Sequence, residues 1–221
     1  MKVMDTFSAF PEKRNLERLR EYYEKYPEIF NTYFLHHCQD TDERLNKALE
    51  RYNDDWKSII KVHQSIKILL KDITNSYQIK YQLQFPNNVN LIIGAYGSNA
   101  YTHREIIPDI TFAMERLSFK EEPLSVIIAH ELGHAAHGII SENYQMDWKN
   151  IQWDHPYIWL LQEGAATHFS KQIVPNLKES IYFSYDLNGD GWLTFAKEHK
   201  QEIISNFAND LNSGKNTGEI F

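Results

Sequence analysis

The feature that most limits how this chain can fold is an apolar segment at about residues 124–140, which follows Pro123 and is long enough to form a helix. Apolar side chains flank its middle, in Val126-Ile127-Ile128-Ala129 and in Ala135-Ala136. Between them lies the ionisable segment His130-Glu131-Leu132-Gly133-His134. Burying charged or polar groups without a partner is costly, so we expect this helix to be buried with its polar side chains sharing a ligand.

The two histidines are four residues apart, which on an α-helix places them on one face, with Cβ atoms about 5–6 Å apart. Imidazoles at that spacing can bind one metal ion together, and Glu131 can reach a metal-bound water without binding the metal itself. Random sequences of this composition would contain roughly 0.04 such segments. The competing interpretation is two hydrogen-bonded histidines on a helix surface.

A tetrahedral zinc site in an enzyme needs a third protein ligand and one open position. Glu163 fills this need: it lies 29 residues after His134, within Gln162-Glu163-Gly164-Ala165-Ala166, on a helix predicted over residues 156–174. Small residues on this helix, with Gly133 on the facing one, would let the two helices approach closely enough to share a metal.

The His-Glu-x-x-His segment with a downstream helical Glu resembles the gluzincin group of zinc metallopeptidases, to which the thermolysin-like enzymes belong. The Glu-Gly-Ala-Ala run starting at Glu163 is similar to a signature of several uncharacterised predicted zinc proteases in that group. The resemblance covers about residues 89–175. It implies a zinc-dependent peptidase with a zincin-like fold, in which His130, His134 and Glu163 hold one Zn²⁺ ion.

The resemblance also implies a mechanism. Zinc lowers the pKa of a bound water towards about 7 and polarises the scissile carbonyl, and Glu131 acts as general base. A second electrophile must stabilise the oxyanion, and His155 is our first choice. The full set of candidates is His155, Tyr157, His168, Tyr101 and Tyr185. The family analogy further predicts that a peptide substrate pairs with the sheet edge near Ile110 to Met114.

The chain departs from the thermolysin-like pattern at Thr167. That position, four after the third ligand, carries an acidic residue in those enzymes, which supports a metal-bound histidine. A hydroxyl accepts the hydrogen bond but brings no charge, so this support would be weaker or would come from elsewhere, for instance Asp154. His137 follows His134 by three residues rather than six, so we expect it to pack or to support a ligand.

A second segment of the sequence resembles a metal-binding loop. Residues 186–194 match the first half of an EF-hand calcium loop, with oxygen-bearing side chains at Asp186, Asn188 and Asp190. The twelfth position, normally a bidentate Glu, is Lys197. We favour an Asx-rich turn that caps the last helix, and a weak Ca²⁺ site is the alternative.

The remainder of the chain predicts an α+β fold with two regions. Residues 1–80 have helical periodicity and form an N-terminal helical region. We expect residues 81–221 to form the catalytic region, for which the resemblance implies a zincin-like fold, with strands at about 89–95 and 110–114 in a small, mostly antiparallel sheet. The two regions could also be one continuous domain.

Charge and cysteine content narrow the function classes. Residues 81–221 carry 9 Lys and Arg against 17 Asp and Glu, which disfavours a nucleic-acid partner. No segment is apolar enough for a membrane helix. With Cys38 alone, no internal disulfide forms, and no signal sequence is visible at the start, which together favour the cytoplasm; secretion after trimming stays open.

Three functions are compatible with these sequence features. The leading hypothesis is a zinc peptidase acting on peptides or small proteins. The first alternative is a non-catalytic zinc-binding regulatory or structural protein. The second is a helical interaction protein whose histidines bind no metal.

Overall fold

The structure is a computed structural model and describes residues 1–102, 108–147 and 150–220. Its strands are β1 (Lys2–Asp5), β2 (Asn88–Ile92), β3 (Ala100–Thr102) and β4 (Ile110–Ala113). The N-terminal helices are α1 (Leu16–Glu24), α2 (Pro27–His36) and α3 (Asp42–Tyr81). The later helices are α4 (Glu121–Asn143), α5 (Pro156–Ile173), α6 (Ile181–Ser184), α7 (Asp190–Glu198), α8 (Lys200–Asn212) and α9 (Thr217–Ile220).

Local sequence explains where the main helices begin. Asn15 and Thr41 cap α1 and α3, since each side-chain oxygen accepts a hydrogen bond from a backbone N–H of the first turn. Pro27 and Pro156 occupy the first positions of α2 and α5, where the missing N–H costs nothing. The sequence also predicts one helix at about residues 195–211; the structure has two helices there, because α7 ends before His199 and α8 begins after it.

The four strands form one mixed sheet in the order β1-β2-β4-β3. β1 pairs with β2 and β2 with β4 in parallel, and only β3 runs antiparallel to its neighbour β4. The α+β class is thus confirmed, but the expectation of a mostly antiparallel sheet is wrong. The helices α1 to α3 form a crossover that returns the chain to the sheet in the direction of β1, and a crossover of this kind produces a parallel pair.

The core lies between the sheet and the helices α3 and α4. Leu91 of β2 and Phe112 of β4 are fully buried, as is Leu132 of α4. The Tyr77 hydroxyl of α3 donates a hydrogen bond of 2.6 Å to the carbonyl of Ala129, which joins α3 to α4 directly beside His130. Because β1 belongs to the same sheet, residues 1–80 and residues 81–221 share both the sheet and the core.

Within the described residues, no helix has the length and apolar content needed to cross a membrane.

Asp5 links β1 to the long helix α3. Its carboxylate accepts hydrogen bonds from His63 Nε2 at 2.8 Å and from the Phe7 backbone N–H at 3.0 Å, and it forms an ion pair with Lys67 at 2.5 Å. Burial alone would raise the pKa of this carboxyl, but the hydrogen bonds from Lys67, His63 and Phe7 outweigh it and hold the pKa below its ordinary value of 3.8.

We expect Asp5→Asn to lower the free energy of unfolding at pH 7 by roughly 1–3 kcal/mol. A pKa that is depressed in the folded state stabilises the protein above the unfolded pKa, near 4, and that contribution is lost as the pH falls through the folded pKa. The difference between wild type and variant should therefore shrink below about pH 4. Urea unfolding at pH 7, 5 and 3.5 measures it, and a gap that is constant with pH would contradict the assignment.

Candidate metal centre

The His-Glu-x-x-His segment lies in the middle of α4, and its polar side chains are buried with the helix. His130 is 3% exposed and Glu131 is 7% exposed. The His130 and His134 rings lie one turn apart with centroids separated by 4.8 Å, nearly perpendicular to each other. The two imidazoles therefore lie side by side on one face of α4.

Glu163, on α5, meets both imidazoles. Its Oε2 atom lies 3.2 Å from His130 Nε2, and its Oε1 atom lies 3.5 Å from His134 Nε2. One potential ligand atom from each of the three residues lies within 4.8 Å of the others. The structure thus brings together the three residues predicted as ligands, in a cluster that could hold a metal ion.

The closeness of α4 and α5 depends on Gly133. A Cβ atom at this position would lie 3.0 Å from the Cα atom and the carbonyl oxygen of Ala166, and 3.2 Å from Cβ of Phe169. The two Ala166 atoms belong to the backbone of α5, so no side-chain rotation could relieve the contact. Gly164, next to Glu163, faces open space instead, so the approach of the helices rests on Gly133 and Ala166.

We expect Gly133→Val to weaken metal binding by about tenfold or more, because α5 must move away and carry Glu163 with it. Gly164→Ala is the matched control: it adds a methyl group beside the same ligand, meets no atom within 4 Å, and should leave metal affinity unchanged. Competitive titration with a chromogenic zinc chelator measures both. Equal affinities for the two variants would show that the helix spacing does not control the site.

The protonation of the cluster suits a cation. Burial lowers the pKa of His134 to about 4, with His130 adding to the shift, so this imidazole is neutral at pH 7. Burial raises the pKa of the Glu163 carboxyl, but the hydrogen bond from His130 and the electrostatic attraction of the two imidazoles outweigh it and hold the pKa below its usual value. Neutral imidazole and ionised carboxylate are the forms that bind metals, so His134 and Glu163 can bind an ion without first losing a proton.

The hydrogen-bond support predicted for a metal-binding histidine is not found at His130 within the described residues. His130 Nδ1 is buried and has no hydrogen-bond partner among them. The Thr167 backbone carbonyl accepts a hydrogen bond from Ser170, one turn on in α5. His137 lines the same cavity as the cluster but does not belong to the group of three, and burial lowers its pKa.

Glu131 lies beside the cluster without joining it. Its Oε2 atom accepts a hydrogen bond of 2.6 Å from the Thr102 hydroxyl, at the end of β3. Burial raises the pKa of the Glu131 carboxyl, while His130 and the Thr102 hydrogen bond oppose the rise. Sequence inspection did not single out Thr102, because its role depends on β3 passing over α4, and a three-residue strand leaves no periodicity to detect.

A cavity of about 430 Å³ opens over the cluster, a size suited to a small ligand or a short piece of peptide. Strand β3 forms one wall, and Trp153 and Trp159 form part of another. The indole N–H of Trp159 donates a hydrogen bond of 3.0 Å to the Trp153 carbonyl. His37 of the N-terminal region also lines the cavity, with its ring stacked on Tyr101 at 3.6 Å, although its sequence context gave no reason to expect this.

The structure separates the five candidates for the second electrophile. Tyr101 and Tyr185 line the cavity, whereas His155, Tyr157 and His168 are not among its described lining residues. His155 Nδ1 accepts a hydrogen bond from the Tyr157 backbone N–H and so caps the start of α5. Our first choice, His155, is therefore not brought to the cluster.

Tyr185 is the candidate that lies against a ligand. Its ring packs edge-on against the His130 ring, with centroids 5.3 Å apart. Burial raises its pKa, and the charges of Glu131 and Glu163 raise it further, so the hydroxyl stays protonated. Within the described part of the chain, no group hydrogen-bonds to this hydroxyl, which is therefore free to donate to a ligand in the cavity.

The calcium-loop segment does not form a cation cage among the described residues. The Asp186 carboxylate accepts a hydrogen bond of 2.6 Å from the Asn188 backbone N–H, which is an Asx turn. Asp190 lies 3.2 Å from the Lys178 ammonium group, which would repel a cation. The Asx turn agrees with the favoured interpretation, but the predicted capping is not found: α7 begins at Asp190 after Gly189 without a side-chain cap, and it is not the last helix.

Comparisons with protein-family models, with curated proteins and with solved structures find no match for this chain.

Proposed function

We propose that the protein is a zinc-dependent peptidase. The observation that carries the proposal is the convergence of His130, His134 and Glu163 beside the buried carboxylate of Glu131, at the floor of an open cavity. Two imidazole nitrogens and one carboxylate oxygen are a typical donor set of catalytic zinc. No fourth His, Cys, Asp or Glu joins the group within the described residues, so one position stays available to water or substrate.

We also propose that the fold is zincin-like, and the support for this is an antiparallel strand at the sheet edge that contacts the metal-binding helix. β3 is that edge strand, and its Thr102 contacts Glu131 of α4. The predicted docking strand, Ile110 to Met114, cannot serve, because β4 is interior and pairs with β2 on one side and β3 on the other. We propose that an extended peptide instead pairs with the outer edge of β3, which no other strand covers within the described residues.

When bound, zinc supplies a Lewis acid that polarises a substrate carbonyl and lowers the pKa of a coordinated water. Glu131 takes the proton of the attacking water and later delivers it to the leaving nitrogen. Burial raises the pKa of Glu131, which makes the carboxylate a stronger base, and the Thr102 hydroxyl holds it in one orientation. The Tyr185 hydroxyl donates a hydrogen bond to the oxygen that becomes negatively charged.

Two measurements on protein purified without a histidine tag test the proposal. Elemental analysis should find about one zinc per chain, and fewer than about 0.2 would favour a protein that binds no metal. Incubation with a mixed peptide library, followed by mass spectrometry, should reveal cleavage that a chelator stops and added zinc restores. Stoichiometric zinc with no cleavage of any peptide would instead support the non-catalytic zinc-binding alternative.

A further inference from the structure

We infer that residues 180–190, hereafter the positioning segment, hold Tyr185 in place over the metal ligands. The inference rests on the proposed function, because it concerns the hydroxyl that would stabilise the oxyanion. It assigns a role to the calcium-loop-like stretch, whose polar groups bind each other and their neighbours rather than a cation.

The backbone of Tyr185 has an unfavourable conformation, which neighbouring contacts must maintain. Its φ is +54°, in the left-handed region that bulky residues rarely adopt, and such a conformation costs on the order of 1–3 kcal/mol. Its backbone N–H donates a hydrogen bond of 3.0 Å to the Ile181 carbonyl and so ends α6. The left-handed turn is where the chain leaves the helix, and it directs the ring to His130.

The start of the positioning segment is anchored on the metal-binding helix itself. Ile181 and Tyr182 are buried and pack with Val126, which lies one helical turn before His130 on α4. The Tyr182 hydroxyl donates a hydrogen bond of 2.5 Å to the Val174 carbonyl, just beyond α5. The base of the segment is therefore attached to the two helices that supply the ligands.

Hydrogen bonds then join residues that precede Tyr185 in the segment to residues that follow it. The Ser184 hydroxyl lies 2.9 Å from the Ser180 carbonyl and 3.2 Å from the Asp186 carbonyl, so its one proton can be shared between the two. The Ser180 hydroxyl donates to Asp190 Oδ1 at 2.5 Å, which ties the far end of the segment back to its start. Gly189 permits this closure: a Cβ atom there would lie 2.5 Å from Ser184 Oγ and 2.6 Å from Ser184 Cβ.

The first test measures position without relying on activity. 3-Fluorotyrosine is installed at position 185, and the ¹⁹F resonance is compared between Zn²⁺- and Co²⁺-loaded protein, since paramagnetic Co²⁺ shifts nearby nuclei strongly. We expect a large cobalt-induced shift in the parent protein, and a shift reduced at least about twofold by Asp190→Ala or Gly189→Ala. Asp210→Ala is the control, because it breaks a similar exposed Asp–Lys pair, with Lys215, away from the positioning segment.

The outcomes separate the two proposals. If Co²⁺ binds and the shift in Asp190→Ala equals that of the parent, the positioning role is overturned. If neither Zn²⁺ nor Co²⁺ binds the parent protein, the proposed function fails first. If millimolar Ca²⁺ changes the shift in the parent or raises its melting temperature, the segment is a calcium site and the inference is wrong.

The second test uses kinetics with a cleaved peptide. Tyr185→Phe should lower kcat by about 10²-fold, as expected for the loss of one oxyanion donor. Asp190→Ala should lower kcat about tenfold with KM and zinc content nearly unchanged, and Asp190→Asn should restore part of the loss, because its amide oxygen still accepts from Ser180. In the double variant the loss should equal that of Tyr185→Phe alone, whereas losses that multiply would overturn the inference.

Discussion

Replacement of Glu131 by Gln is expected to lower kcat for peptide cleavage by about 10³-fold or more while the protein still binds one zinc per chain. Glutamine has the same shape as glutamate, and its amide oxygen can still accept the hydrogen bond from the Thr102 hydroxyl. What it lacks is a basic oxygen to take the proton of the attacking water. Because Glu131 lies outside the group of three ligands, the metal should be retained.

The matched control is Glu122→Gln, the same change at an exposed position in the first turn of the same helix. It should leave kcat, KM and zinc content at wild-type values. Steady-state kinetics and elemental analysis on the same preparations distinguish a loss of kcat from a loss of bound zinc. Glu131→Gln that retains more than about a tenth of wild-type kcat with full zinc would remove Glu131 from the role of general base.

The cluster of His130, His134 and Glu163 could be predicted because most of its geometry is local. An α-helix fixes the relation between His130 and His134 by its pitch, whatever the rest of the chain does. Glu163 is far from the histidines in sequence, yet it too lies on a predicted helix, and small residues on both helices indicated that the two could approach. The structure places that approach at Gly133 and Ala166 rather than at Gly164. For these residues, periodicity and side-chain size carried the necessary information.

The parts that could not be predicted depend on tertiary contacts. β1 and β3 have four and three residues, too few to show an alternating pattern, so the parallel pairing and the true sheet edge were missed. His155 was favoured because it lies near Glu163 in sequence, but it caps the start of α5. Tyr185 lies 22 positions beyond Glu163, and a left-handed turn returns its ring to His130. Sequence distance was therefore a poor guide to which candidate side chain lies against the cluster.

Removal of the third ligand is the second change with a large expected effect. Glu163→Ala should weaken zinc binding by at least about 10²-fold, more than the loss of a residue that only supports a ligand. The carboxylate contacts both imidazoles, at 3.2 and 3.5 Å, and it is the one anionic member of the group. Without it, two neutral imidazoles must hold a divalent cation with no compensating charge, and cleavage should be lost together with the metal.

Gln162→Ala is the matched control, because Gln162 is the adjacent residue on α5 and lines the same cavity without belonging to the ligand group. Added zinc should raise the melting temperature of the wild type and of Gln162→Ala, since a ligand that binds only the folded state stabilises it, whereas Glu163→Ala should respond weakly. Chelator competition gives the affinities independently. Wild-type zinc affinity in Glu163→Ala would mean that the metal lies elsewhere, and the proposed peptidase site would then have to be abandoned.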